Sequence, residues 1–169
     1  ASNFEMFNKL ASSERSDYVG IPSGISALDA VTTGLNRSDL IIVGARPGMG
    51  KTSFVLNVAR NVAVQQKRTV AVFSLEMSRE QLVTRLIAAE GLVENTRLTT
   101  GNLRESDWQR IAEAASSLSR MDIRIDDNPL LTVADMNAKC RRLENLGLVV
   151  IDYLQLMQPP STRRDGNRA

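Results

Sequence analysis

The chain has 169 residues, 43% hydrophobic and 24% charged, which suits one globular domain with a core and excludes a disordered, collagen-like or membrane-bundle chain. The net charge of +2 lies in the last segment, where Arg163, Arg164 and Arg168 meet only Asp165, so the body is neutral and offers no broad nucleic-acid-binding surface. One cysteine and no histidine exclude an internal disulfide and a structural zinc site. With no apolar run near the ~18 residues of a membrane helix and no basic-then-apolar leader, the expected location is cytoplasmic, with no membrane partner.

In chain order, Phe4, Phe7, Leu10 and Ala11 share one helical face, and residues 1–19 read as a short amphipathic helix plus polar linker that packs either on its own domain or on a neighbouring chain. Gly20, Pro22 and Gly24 mark a turn, and Ile25, Leu28 and Leu35 lead into an expected strand at Leu40 to Val43. The glycine-rich stretch that follows opens a helix patterned by Phe54, Val55, Val58, Ala59 and Val62. A second strand is expected over Thr69 to Leu75. Ser78 and Gln81 have capping-box spacing before a helix with Leu82, Leu86 and Ile87. A further helix is expected over Ser106 to Leu118, with Trp108, Ile111, Ala112, Ala115 and Leu118 as its inward face, then a strand at Ile123 to Ile125. Thr132 is placed to cap a helix that buries Val133, Met136, Cys140 and Leu143, which makes Cys140 a core residue rather than a redox group. Leu148 to Ile151 is apolar on both faces, as a central parallel strand should be, and ends in Asp152. Alternating strands and helices predict an α/β fold, a mostly parallel sheet with helices on both faces.

Ala45-Arg46-Pro47-Gly48-Met49-Gly50-Lys51-Thr52 fits a phosphate-binding loop in which alanine replaces the usual first glycine. Consecutive backbone amides can converge there on phosphate oxygens at a helix N-terminus, with Ser53 next in the first helical turn. Lys51 would reach the outer phosphates and the Thr52 hydroxyl would complete a magnesium shell. The alternative is a chance glycine-rich turn, but Lys51 is one of only four lysines beside seventeen arginines. Asp152 can steady magnesium from a parallel strand or merely end that strand in solvent. Glu76 stands where a general base would deprotonate an attacking water, and reads equally well as a solvated strand end.

Four blocks in order decide between these: Gly20-Ile-Pro-Ser-Gly24 with Leu28-Asp29, Ile41 through Thr52, Phe73-Ser-Leu-Glu-Met-Ser78, and Val149-Val-Ile-Asp-Tyr-Leu-Gln-Leu156. Together they resemble the bacterial replicative DNA helicase family, the DnaB-type RecA-like ATPases. The resemblance implies ATP and Mg2+ as ligands, Glu76 and Lys51 as catalytic residues, and Thr52 with Asp152 at the metal. It also implies a homohexameric ring around single-stranded DNA, and primase and a helicase loader as partners. Residues 1–19 then resemble a linker helix that docks on the adjacent subunit, and residues 20–157 the N-terminal part of a RecA-like P-loop core. Residues 158–169 form a basic loop whose arginines face either the ring channel or solvent. The family's glutamine-bearing strand, arginine finger and DNA-binding loops are not in the sequence. A partial domain, nearly inactive alone, is therefore expected. Two other readings are a RecA-like ATPase switching a recombination or regulatory assembly, and a non-catalytic oligomerisation module.

Overall fold

The computed structural model describes residues 20–157; the expected linker helix and the basic tail lie outside the described residues. Three parallel strands form the sheet: β1 (Thr69–Ser74) lies between β2 (Ile123–Asp126) and β3 (Leu146–Asp152). β1 pairs Val72 with Ile125 on one side and with Val150 on the other. The central strand of a parallel sheet covered by helices on both faces buries both of them, and every residue of β1 is buried.

Helix α1 (Ser26–Thr32) precedes α2 (Lys51–Gln65), which covers one face of the sheet. There Ala59, Val62 and Ala63 of α2 pack with Val70, Val72 and Val150, joined by Leu82 and Leu86 of α3 (Arg79–Gly91). Each buried valine or leucine here contributes about 1.5–3 kcal/mol. The opposite face buries Ala71, Phe73 and Leu75 under Leu131 and Met136, the latter on α6 (Val133–Cys140). Two more helices, α4 (Asn95–Thr100) and α5 (Glu105–Leu118), extend the α3 side. The expected α/β architecture with helices on both faces is thus present.

Both anticipated caps form. The Ser78 hydroxyl accepts from the Gln81 amide at 3.3 Å while the Gln81 side chain accepts from the Ser78 amide at 3.0 Å. Thr132 and Asp135 make the same reciprocal pair at the start of α6. Cys140 packs against the second core cluster and burial pushes its thiol pKa up, so it remains a protonated core residue.

Four expectations are corrected, the smallest on α6, where Val133 is 60% exposed and Met136 is the buried residue. Leu40 to Val43 forms no strand: the segment has no ladder, and Leu40 is 84% exposed. A strand needs a neighbour to take up its backbone hydrogen bonds, and among the described residues none pairs with this segment. β3, an edge strand here, is fully covered on one face only: it buries Val150 and Asp152 but leaves Val149 and Ile151, which point to the other face, exposed. The α5 face is also rotated. Trp108 is 61% exposed, and the buried positions are Asp107 and Ala114. Gly91 explains the rotation: a Cβ there would lie 3.1 Å from the Arg110 carbonyl oxygen, so α3 and α5 meet at a close backbone crossing that admits only the small Ala114. Asp107 is buried because the Arg104 amide donates to it at 2.9 Å and Arg97 pairs with it at 3.4 Å. The Arg104 amide holds its carboxyl below the usual carboxylate range.

Candidate nucleotide-binding site

The loop from Ala45 to Gly50 is exposed throughout. The Met49 amide donates to the Arg46 carbonyl at 3.2 Å, closing a turn around Pro47. Gly48 and Gly50 take φ of 78° and 83°, a region costly for any side chain, so these two glycines let the loop curl directly into α2. Gly50 is the N-cap, no side chain caps the helix, and no acid stands in its first turn. Its leading amides therefore keep their donors and the positive end of the helix dipole free for an anion. Ser53 is exposed on that first turn.

Below the loop, the fold unites residues 100 positions apart. The Thr52 hydroxyl donates to Asp152 Oδ2 at 2.8 Å, and Lys51 Nζ lies 3.3 Å from Asp152 Oδ1. β3 delivers Asp152 to this place, its main-chain oxygen accepting from the Leu75 amide at 2.7 Å. The carboxylate is 9% exposed and the lysine 28%, so the pair is screened far less than a surface ion pair. Hard oxygen donors from Thr52 and Asp152, side by side beneath free amides, are the donor set magnesium prefers when phosphates complete its shell. The residues present fit a magnesium nucleotide.

Glu76 lies apart from this cluster. It is exposed, and among the described residues it makes no hydrogen bond or ion pair. It occupies the turn after β1, at the carboxyl edge where Ser74 aligns with Asp152, the edge at which ligands bind in open parallel sheets. Ser74, a residue without an obvious sequence signal, fixes that turn. Its buried hydroxyl donates to the Met77 carbonyl at 2.6 Å and accepts from the Met77 amide at 3.1 Å. Asp127, also unanticipated, accepts from the Arg79 amide at 2.8 Å and tethers the start of α3 to the end of β2. That amide holds the Asp127 carboxyl below its usual range. Tyr153 completes the site, with its ring centroid 4.3 Å from Lys51 Nζ.

A parallel sheet with a glycine loop opening one covering helix and acidic groups at its carboxyl edge defines an α/β protein of RecA-like fold. The DnaB-like helicase C terminal domain family matches residues 20–169, and the chain belongs to it. It is 49% identical to the replicative DNA helicase DnaC of Bacillus subtilis over 157 residues, covering 91% of this chain and 35% of that protein. It is 52% identical to the replicative DNA helicase DnaB of Geobacillus stearothermophilus, covering 84% of this chain and 32% of the relative. The chain therefore spans about a third of the length of these curated relatives. Among solved structures, one described as an ATPase domain superposes with a TM-score of 0.80 at 28% identity, covering 98% of this chain and 61% of that one. A DnaB-like replicative helicase, described with its interactions with primase, superposes with a TM-score of 0.78 at 31% identity, covering 86% of this chain and 37% of that one. Among the described residues no helix is long and apolar enough to cross a membrane.

Proposed function

We propose that the chain is the nucleotide-hydrolysing part of a replicative DNA helicase, a homohexameric cytoplasmic motor that uses ATP to move along single-stranded DNA and part duplex strands. The observation that carries this reading is the Lys51, Thr52 and Asp152 cluster under a glycine loop that opens a helix with no side-chain cap. Within the loop from Ala45 to Ser53 the amides of Gly48, Gly50, Lys51, Thr52 and Ser53 cradle the phosphates, and Lys51 supplies the compact positive charge that phosphate oxygens require. Thr52 and Asp152 would hold Mg2+, which neutralises charge developing on the transferred phosphoryl group. Glu76 accepts the proton of the attacking water; its lack of a competing partner among the described residues leaves the carboxylate ready for that task.

Residues 20–157 form the N-terminal part of the ATPase core on this reading. Residues 1–19 dock on the adjacent subunit, and Arg163, Arg164 and Arg168 add a salt-sensitive attraction for DNA phosphates. Primase and a loader are the expected protein partners, the first supported by the primase-interacting relative. Calorimetry on the intact protein with Lys51→Ala tests the site. A large loss of magnesium-ATP affinity is expected, and unchanged affinity with unchanged turnover would remove the phosphate-loop assignment.

A further inference from the structure

Lys51 has two neighbours of different character. Asp152 neutralises its ammonium from 3.3 Å, and the face of Tyr153 lies 4.3 Å from it. Asp152 has one oxygen on Lys51 and the other on Thr52, so a metal entering beside Thr52 competes with Lys51 for the same carboxylate. Once that competition is lost, the lysine is a flexible four-carbon stem with its charge partner withdrawn, and fixing it over the loop costs rotamer entropy. An aromatic face attracts a cation through its quadrupole without neutralising it. The ammonium thus keeps its full charge for phosphate oxygens.

We propose that Tyr153 is a positioning residue for Lys51: its ring holds the ammonium at the phosphate loop when Asp152 turns from the lysine to the metal. The ring face performs this task and the hydroxyl has no part in it. This deepens the nucleotide-site reading and rests on it. A partly exposed cation over a tyrosine face corresponds to about a two- to fivefold effect on affinity.

The test compares Tyr153→Phe, Tyr153→Leu and Lys51→Ala in the intact protein, with magnesium-ADP binding read by calorimetry and ATP turnover measured separately. Tyr153→Phe should bind like the parent. Tyr153→Leu should weaken binding about two- to fivefold. A double-mutant cycle on the ligand-free protein, with Lys51→Ala and Tyr153→Leu in urea unfolding, should return a favourable coupling between the two side chains, which a merely space-filling Tyr153 would not give. Parental affinity in Tyr153→Leu, equal losses in the Phe and Leu variants, or zero coupling would each overturn the inference while a large Lys51→Ala loss left the site reading standing. Parental affinity in Lys51→Ala would overturn both.

Discussion

Replacing Glu90 with glutamine should destabilise the protein by an amount that depends on pH. Glu90 sits on α3 where three helices meet: it accepts from Arg60 Nε of α2 and, at 2.9 Å, from Ser117 Oγ of α5. Its side chain is 14% exposed. Hydrogen bonds to a charged group contribute about 1.5–3 kcal/mol. Glutamine keeps the shape but turns an amide N–H toward one of the two donors, so about 2 kcal/mol of stability should be lost at neutral pH. The Arg60 bond holds the Glu90 carboxyl below its ordinary value of 4.5. A folded-state pKa below the unfolded one adds stability that is present above about pH 4.5 and is lost as pH falls through the lower folded value. Urea unfolding of parent and Glu90→Gln should thus show the full gap at pH 7 and a narrowing gap as the pH drops below about 4.5. A gap of constant size across that window would mean the cost is steric. No gap at neutral pH would mean the three helices do not depend on this ion pair.

Leu82→Ala, at a position 1% exposed between α3 and the sheet, should cost about 2–5 kcal/mol in the same unfolding assay. Gly50→Ala meets no atom within 4 Å, yet φ of 83° should cost about 1–2 kcal/mol, and Gly50→Asn should recover part of it because asparagine tolerates that region. Asp152→Asn removes a charge from the proposed magnesium site, and a titration of ATPase rate against magnesium should shift to higher concentration.

Much of this fold is legible in local patterns. Thr69 to Ser74 has the residue types of a fully buried strand, and Ser78 with Gln81, or Thr132 before α6, announces a helix start through the chemistry of its own side chains. Leu40 to Val43 shows the limit of such reading: its residues have strand character, but a ladder needs neighbours, and hydrophobic pattern alone does not say whether they are present. On α5, the spacing of Trp108 and the alanines points to one buried side, whereas the close crossing at Gly91 sets the rotation and turns Trp108 outward. At the site, the sequence anticipates a glycine loop opening a helix and an acid ending a strand, and the fold brings the two together. The parts played by Ser74, Asp127 and Tyr153 are not legible there, since each acts through a contact made only when the chain has folded around it.

The most direct test of the hydrolytic motor is the ATP turnover of the intact protein carrying Glu76→Gln, measured with single-stranded DNA beside magnesium-ATP binding of the same variant. Glutamine preserves the shape of the exposed side chain but cannot accept the proton of the attacking water. Affinity should stay near the parental value while turnover falls about 100- to 10,000-fold. Parental turnover in Glu76→Gln would contradict the assignment and leave Glu76 as a solvated residue at the end of β1.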